Sequence, residues 1–361
     1  MVTIWSINGR FVTQPFSGVQ RYAYEIVREL DELVSEGHPL ADNLILELLV
    51  PPHTQNLPQL KSIQIRRCGR GGGHGWEQTM LPSAVRGGLL SLCNTGPVVL
   101  SEQIICLHDV NTRVCPESYS FAFRAFYRIL LPVLGRRAKL VTTVSHYSAD
   151  ELARYGITAK KQPLVIPDGH EHAKRWQPEH SVKTRAVAGR NTVLAIGSPA
   201  PHKNIGLLLG LADEFRKAGL RLAIVGLSDS RVFQTLSHDS CATNVAWLGK
   251  LSDNEIAALL NDCLCLAFPS FVEGFGLPAV EAMAWGCPVV ASDRASLPEI
   301  CGDAALYASP TDPAAWRDQI IRLARDPALA AVLVEKGSTQ VKRFSWRRSA
   351  ELYLLAMQNA A

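Results

Sequence analysis

Short apolar runs alternate with amphipathic stretches along most of the chain. The apolar runs are continuous and do not alternate with polar residues, which predicts strands buried on both faces of a parallel sheet. In the first half we predict strands at 2–7, 44–50, 104–108, 140–144 and 164–166, and helices at 18–33, 121–134 and 149–155. After residue 190 the alternation restarts, with predicted strands at 192–196, 221–225, 245–248, 264–268 and 288–291, and helices near 204–218, 229–238, 253–261, 278–285 and 313–325.

This restart indicates two α/β domains, because 361 residues are too many for one ordinary hydrophobic core. The polar stretch 170–190 is the predicted linker. We expect two Rossmann-like, doubly wound domains that face a cleft. They are an N-terminal domain of residues 1–169 and a C-terminal domain of residues 170–344, and a last helix at 345–361 packs back on the first. In open parallel sheets ligands bind beyond the carboxyl ends of the strands, so candidate site residues are sought there.

Charge is distributed unevenly between the two halves. The net charge is +4, with 21 Lys and Arg against 16 Asp and Glu in residues 1–187, and 16 against 17 in residues 188–361. So small a net charge excludes a protein dedicated to coating nucleic acid, and no nucleic-acid partner is expected. The basic first half is either ordinary scatter or typical of a domain that meets an anionic partner, such as a membrane surface or phosphate.

The nine cysteines form no CxxC pair and have no histidine at zinc spacing, which favours a reducing compartment and no metal site. The sequence has no run long and apolar enough to span a membrane and no signal-peptide pattern at its start, so we expect a cytoplasmic protein. The glycine-rich segment 69–75 lacks the GK[ST] ending of a phosphate-binding loop, and a mobile surface loop is the favoured interpretation.

The most informative stretch follows the predicted strand that ends at residue 268. Its loop turns into a helix, and the backbone N–H groups of Gly274, Phe275, Gly276 and Leu277 would attract an anion at the helix start. Glu273 lies in that loop. Two carboxylates beside an anion-binding turn, Glu273 and Glu281, suit a ligand that carries both hydroxyls and phosphates. Without a ligand, Glu281 would be a partner for the helix dipole and Glu273 a solvated loop charge.

Further candidates follow other predicted strands. Gly18 and Val19 open a helix whose free N–H groups could bind a diphosphate, and Arg21 lies one turn further in; a plain turn is the alternative. His108 and Asp109 end a strand of the first domain, where a histidine is often only a structural residue.

The E-x7-E pattern Glu273…Glu281 within EGFGLPAVEAMAWGCPVVAS resembles the donor-site motif of retaining glycosyltransferases with the GT-B fold, of the family-4 type. Other stretches agree in the same order along the chain, namely 17–22 (SGVQRY), 105–109 (ICLHD), 143–148 (TVSHYS), 165–169 (VIPDG), 197–204 (GSPAPHKN) and 344–346 (FSW). The resemblance covers nearly the whole chain.

The resemblance implies a role for each candidate. Glu273 would contact hydroxyls of the donor sugar, Glu281 the ribose, and the backbone around Phe275, Gly276 and Leu277 the sugar and phosphates. His108 would reach the donor sugar, and Asp109 would orient His108 or receive the acceptor hydroxyl.

The phosphate side of the site is implied in the same way. Lys203 would bind the leaving diphosphate without a metal, unless it is simply a surface lysine. Many relatives carry arginine where this chain has Ser198, so His202 or another cation would compensate. Gly18 and Val19 would approach the diphosphate, and we assign Arg21 to the acceptor.

The expected activity is metal-independent transfer of a hexose with retention of configuration to a saccharide or lipid-linked acceptor. GDP-mannose is the preferred donor, because the motifs at 17–22 and 108–109 resemble those of bacterial polysaccharide and O-antigen mannosyltransferases. A UDP-sugar donor, a GT-B sugar-nucleotide epimerase and a non-catalytic nucleotide-sugar-binding subunit stay open. An NAD-dependent dehydrogenase is disfavoured because no GxGxxG follows the first strand.

The stretch 119–139 interleaves aromatic residues with arginines along a predicted helix. This composition suits peripheral contact with the anionic headgroups of the inner membrane. A helix that packs on the core and exposes a solvated basic face would have a similar sequence.

Overall fold

A computed structural model of the protein describes residues 2–158, 162–226 and 243–360. The chain divides into two compact units. The first comprises Met1–Arg113, Tyr119–Gly169 and Ser345–Ala361, and the second comprises Val114–Ser118 and His170–Phe344. The short segment Val114–Ser118, expected in the first domain, groups with the second, where Ser118 Oγ lies 2.9 Å from Nδ1 of His202.

The first unit is built on a parallel sheet of seven strands within the described residues. They are β1 (Thr3–Asn8), β2 (Leu44–Val50), β3 (Gln64–Arg67), β4 (Gly88–Ser91), β5 (Gln103–Cys106), β6 (Leu140–Thr143) and β7 (Leu164–Val165). Their order is β3-β2-β1-β4-β5-β6-β7, so the winding direction reverses between β1 and β4. The helices along this part of the chain are Gly18–Ser35, Gly73–Thr79, Leu81–Ala84, Asn111–Val114, Phe121–Arg137, His146–Arg154 and Trp346–Ala360, with 3-10 turns at Gly9–Thr13, Pro39–Ala41 and Pro116–Ser118.

The C-terminal helix Trp346–Ala360 packs against the helix Gly18–Ser35 inside this first unit. The fully buried Tyr353 hydroxyl lies 2.9 Å from the hydroxyls of both Tyr22 and Thr142. Ser349 Oγ donates a hydrogen bond to the carbonyl of Pro167 at 2.7 Å. These buried polar contacts fix how the last helix sits on its own unit.

The second unit has a six-stranded parallel sheet. Its described strands are β8 (Thr192–Ile196), β9 (Arg221–Val225), β10 (Val245–Gly249), β11 (Cys265–Phe268), β12 (Val289–Ser292) and β13 (Ala305–Ala308). The order β10-β9-β8-β11-β12-β13 is that of a Rossmann domain and places the switch point between β8 and β11. Its described helices are Val182–Arg185, Ile205–Gly210, Ala212–Lys217, Asp253–Asp262, Leu277–Ala284, Leu297–Cys301, Pro313–Arg325 and Pro327–Gln340, with 3-10 turns at Ala173–Arg175, Pro201–Lys203, Gly302–Ala304 and Val341–Arg343.

The α/β prediction of two Rossmann-like domains is confirmed, with local corrections. The helix expected near 204–218 is two helices that meet at Leu211, and the strands β3, β4 and β13 were not predicted. The helix expected near 229–238 lies outside the described residues. Residues 69–72 of the glycine-rich segment form an exposed loop after β3, as expected, whereas residues 73–75 begin the helix Gly73–Thr79. A Cβ at Gly69 would lie 2.5 Å from Met80, so this end of the segment is packed.

Across the described ranges, every helix is too short or too polar to traverse a bilayer.

Candidate functional site

The loop between β11 and the helix Leu277–Ala284 is held in one conformation by its glycine and by a buried serine. Gly276 has φ +110°, and a Cβ at this position would lie 2.7 Å from Cδ2 of Leu297. Ser296 is fully buried, and its Oγ lies 3.0 Å from the carbonyl oxygen of Glu273 and 2.8 Å from that of Phe275. The chain therefore reaches the helix N-terminus along a fixed path, with Leu277 as its first residue.

Glu273 and Lys203 form an ion pair at the switch point of the second unit. Lys203 Nζ lies 2.7 Å from Glu273 Oε1 and 5.7 Å from the centre of the Phe268 ring. Glu273 is only 9% exposed, so water screens this pair less than a surface ion pair. The sequence places these residues after two different strands, β8 and β11, and the fold brings them together as the switch-point rule requires.

Asn204 connects the loops that follow β8 and β11. Its backbone is left-handed, with φ +53°, and its Nδ2 donates hydrogen bonds to the carbonyls of Pro269 at 3.2 Å and Pro310 at 2.8 Å. In the sequence, Asn204 stands out only as the last residue of the motif at 197–204 (GSPAPHKN). An Asn at the start of a predicted helix, directly after the candidate phosphate ligand Lys203, is a sequence signal that could have identified it.

Glu281 is held by a histidine that the sequence analysis missed. His172 Nε2 lies 2.9 Å from Glu281 Oε1, and both side chains are buried. The His172 ring also packs edge-on against Trp176, with ring centres 5.4 Å apart. The two residues are 109 positions apart in the sequence. His172 lies in the stretch 170–190, which the sequence predicts to be the linker.

His202 lies beside Lys203 in the 3-10 turn Pro201–Lys203. Its ring Nδ1 is 2.9 Å from Ser118 Oγ, and its backbone carbonyl accepts a hydrogen bond from the Phe271 amide at 2.8 Å. The backbone of His202 therefore joins the β8 turn to the loop that carries Gly274. The side chain, buried to 8% exposure, contacts the segment that precedes the helix Phe121–Arg137.

Gly18 and Val19 begin the long first helix, as the sequence predicted. Gly18 is exposed, its backbone is not left-handed, and a Cβ there would meet no protein atom within 4 Å. The protein itself therefore does not require glycine at this position. Arg21 lies with its guanidinium 4.8 Å from the centre of the Phe16 ring.

His108 and Asp109 follow β5 but point to different surroundings. His108 is 6% exposed, its Nε2 lies 2.8 Å from the Leu92 carbonyl, and its ring packs edge-on against Tyr22. Burial acts to lower the pKa of His108, but Cys106, Asp168 and the Leu92 carbonyl together raise this pKa to about 9. The imidazolium is therefore favoured at neutral pH, and its orientation is set by the Leu92 carbonyl.

Asp109 instead lines a cavity of about 300 Å³ in the first unit, together with Val19. Its Oδ1 accepts a hydrogen bond from the Asn111 amide at 2.8 Å. This contact fixes the carboxylate at the start of the short helix that follows it.

Within the described part of the chain, no group of three or more His, Cys, Asp or Glu side chains is arranged to hold a metal ion.

Comparison with known proteins identifies the family of this chain. Residues 177–340 match the family model described as glycosyl transferases group 1. The O-antigen chain mannosyltransferase B of Escherichia coli is 30% identical over 69% of this chain and 68% of its own length. The O-antigen chain mannosyltransferase RfbU of Salmonella typhimurium is 28% identical over 65% of this chain and 65% of its own length.

Solved structures show the fold over nearly the whole chain. Sucrose-phosphate synthase from Thermosynechococcus elongatus matches with a TM-score of 0.72 at 19% identity, covering 99% of this chain and 98% of its own. WaaG, a glycosyltransferase involved in lipopolysaccharide biosynthesis, matches with a TM-score of 0.70 at 15% identity, covering 98% and 99%. This chain therefore belongs to the group 1 glycosyl transferases, and it is a glycosyltransferase with the GT-B, family-4-like fold.

Proposed function

We propose that the protein is a retaining, metal-independent mannosyltransferase that uses GDP-mannose. Its acceptor would be a saccharide or a lipid-linked saccharide in surface polysaccharide synthesis, on the cytoplasmic side of the membrane. The choice of mannose is supported by the similarity to the E. coli and Salmonella relatives, both of which are O-antigen chain mannosyltransferases. The observation that carries the proposal is the partly buried Lys203–Glu273 pair beside the N-terminus of the helix Leu277–Ala284.

The second unit would bind the donor through this pair and through Glu281. A diphosphate would attract Lys203 away from Glu273, which frees the carboxylate for sugar hydroxyls. The backbone of Gly274, Phe275 and Gly276 would cradle the phosphates at the helix N-terminus, where N–H groups favour an anion. Glu281, oriented by His172, would accept hydrogen bonds from the ribose.

The first unit would bind the acceptor and complete the donor contacts. Gly18 and Val19 would approach the diphosphate, His108 would contact the transferred sugar, and Arg21 and Asp109 would contact the acceptor. His202, beside Lys203, would compensate for the arginine that the family pattern places where this chain has Ser198.

Retention would follow from substitution on one face of the sugar. The bond from the anomeric carbon to the diphosphate oxygen breaks, and the acceptor oxygen bonds to the same face of that carbon. The leaving phosphate takes the acceptor proton, and Lys203 stabilises the charge that develops on the diphosphate without a metal ion.

The donor is tested by calorimetric titration with GDP, UDP and ADP, followed by assays with the matching mannose or glucose donors. We expect GDP to bind most tightly and mannose to be transferred with retention. Tighter UDP binding would replace this proposal with a UDP-sugar transferase. Release of isomerised sugar without an acceptor would indicate an epimerase, and binding without turnover a non-catalytic subunit.

Glu273→Ala tests the assignment of Glu273 to the donor sugar. We expect it to lower mannose transfer strongly while GDP affinity changes little, because Glu273 is assigned to the sugar. Glu335→Ala, an exposed glutamate of the same unit, is the control. Full transfer activity in Glu273→Ala would refute the assignment.

We also propose that the helix Phe121–Arg137 contacts an anionic membrane surface. Phe121 is 78% exposed and Ile129 is 71% exposed, on a helix that also carries Arg124 and Arg128. Exposed apolar side chains among cations are typical of helices that lie in the lipid headgroup region. The double change Arg124→Glu and Arg128→Glu should abolish co-sedimentation with phosphatidylglycerol vesicles, and unchanged co-sedimentation would exclude this contact.

A further inference from the structure

His108 is held by groups from two neighbouring strands of the first unit. Its backbone amide donates a hydrogen bond to Oδ1 of Asn94 at 2.6 Å, and its ring Nε2 lies 2.8 Å from the carbonyl oxygen of Leu92. Both partners follow β4, whereas His108 follows β5. A carbonyl oxygen can only accept a hydrogen bond, so Nε2 carries a proton in this contact. A hydrogen bond at one ring atom does not by itself set the plane of the ring, which needs a further contact.

Tyr22 supplies this further contact. Its ring packs edge-to-face against the ring of His108, with the ring centres 4.8 Å apart and the planes at 85°. Aromatic rings prefer this arrangement to direct face-to-face stacking. Tyr22 is fully buried and His108 nearly so, and a protein interior is close-packed. The imidazole therefore cannot turn without displacing the tyrosine ring.

The tyrosine ring is itself fixed by the last helix and by the backbone. The Tyr22 hydroxyl donates a hydrogen bond to the Ile166 carbonyl at 3.1 Å and lies 2.9 Å from the hydroxyl of Tyr353. The ring of Tyr22 also packs at a steep angle against Trp346, with the ring centres 5.6 Å apart. Tyr353 and Trp346 both belong to the last helix, so that helix supports the tyrosine that contacts His108.

We propose that Tyr22 is a positioning residue for His108, and that its ring holds the imidazole on the Leu92 carbonyl in the orientation used for sugar transfer. The inference rests on the proposed function for the role of His108. Tyr22 is fully buried, so it acts through His108 and does not touch the sugar itself. The motif at 17–22 would then serve the site twice, through Gly18 at the diphosphate and through Tyr22 at the histidine.

The titration of His108 separates positioning from simple packing. Burial lowers the pKa of His108, whereas Cys106, Asp168 and the Leu92 carbonyl together raise this pKa to about 9. An imidazole released from its place loses the contacts that raise its pKa, so the pKa falls toward the ordinary value of about 6.5. A residue that only packs the core would change the stability of the fold and leave this pKa where it is.

The test compares Tyr22→Leu, which removes the ring, with Tyr22→Phe, which keeps it. Tyr24→Leu is the matched control, because Tyr24 lies on the same helix and its ring contacts Phe11 and Phe16. The imidazole is observed by nitrogen NMR of protein labelled at histidine, and the signal of His108 is the one absent from His108→Gln. The same proteins are assayed for release of GDP from GDP-mannose, with methyl α-D-mannopyranoside as the acceptor.

We expect His108 to titrate at about pH 9 in the wild type, Tyr22→Phe and Tyr24→Leu, and to keep its proton on Nε2 above that pH. In Tyr22→Leu its pKa should fall toward about 6.5, because the ring leaves its partners. The kcat for GDP release should fall roughly 10- to 100-fold in the same variant, while the KM for GDP-mannose changes little. If Tyr22→Leu does not fold, Tyr22→Met takes its place, because its flexible side chain fills irregular gaps.

An unchanged His108 titration in the variant without the ring would overturn the proposal. Equal loss in Tyr22→Phe would also overturn it, since that variant keeps the ring. Full GDP release by His108→Gln, or none by the wild type, would instead refute the proposed function. The NMR comparison would then decide by itself whether Tyr22 positions the imidazole.

Discussion

Gly276→Ala is the substitution whose effect can be worked out most fully from the structure. A residue with a side chain at φ +110° is strained by about 1–3 kcal/mol. The new Cβ would also lie 2.7 Å from Cδ2 of Leu297, and overpacking of this kind costs about 1–3 kcal/mol. Together the two effects lower the free energy of unfolding by about 2–6 kcal/mol. For a unit of this size that corresponds to a melting temperature lower by roughly 4–24 °C.

Gly206→Ala is the matched control for this measurement. Gly206 lies in the helix Ile205–Gly210, its backbone is not left-handed, and a Cβ there meets nothing within 4 Å. Alanine should therefore leave the melting temperature unchanged or raise it slightly, since glycine inside a helix costs roughly 0.5–1 kcal/mol. Differential scanning calorimetry of both variants without ligand gives the comparison. If Gly276→Ala melted together with Gly206→Ala, the described loop conformation would be refuted.

Three further outcomes follow from buried contacts. His172→Ala should weaken GDP binding about three- to ten-fold by calorimetric titration, because Glu281 loses the hydrogen bond that orients it; equal affinity would contradict the orienting role. Tyr353→Phe should cost about 1–3 kcal/mol in urea unfolding, because Thr142 loses a buried partner, and an unchanged midpoint would argue against this contact. Burial raises the pKa of Cys301 to about 12, so the unfolded thiol ionises above its usual pKa of about 8.5 while the native thiol stays neutral. The contribution of Cys301 to the free energy of unfolding should therefore be complete below about pH 8.5 and should fall as the pH rises toward 12. Cys301→Ala, measured by urea unfolding in reductant, should make this fall less steep.

The local pattern of apolar and polar residues was sufficient to predict several strands and helices. The strands Thr192–Ile196 and Arg221–Val225 and the helix Pro313–Arg325 lie where the sequence predicts them. The strand Gln64–Arg67 was missed because it is an edge strand with the polar sequence QIRR. Its strand conformation depends on its pairing with β2, which the local sequence pattern does not indicate.

The site residues divide in the same way. Some are indicated by a local motif, and others are brought to the site only by the folded structure. Glu273 and Lys203 could be named from the loops they occupy, but their 2.7 Å contact joins residues 70 positions apart. His172 and Ser296 could not be found in this way, since each acts through a partner distant in sequence. His108 follows a strand as predicted, yet the Leu92 carbonyl that orients it is a feature of the folded sheet.

The central claim is that the second unit binds a nucleotide through the loop and helix that follow β11. Calorimetric titration of GDP into the wild type, Glu281→Gln and the control Glu335→Gln tests it most directly. A lost hydrogen bond to a carboxylate is worth about 1.5–3 kcal/mol, so we expect Glu281→Gln to bind GDP roughly 10- to 150-fold more weakly and Glu335→Gln to match the wild type. Equal GDP affinity in all three proteins, or no GDP binding by the wild type, would contradict the account.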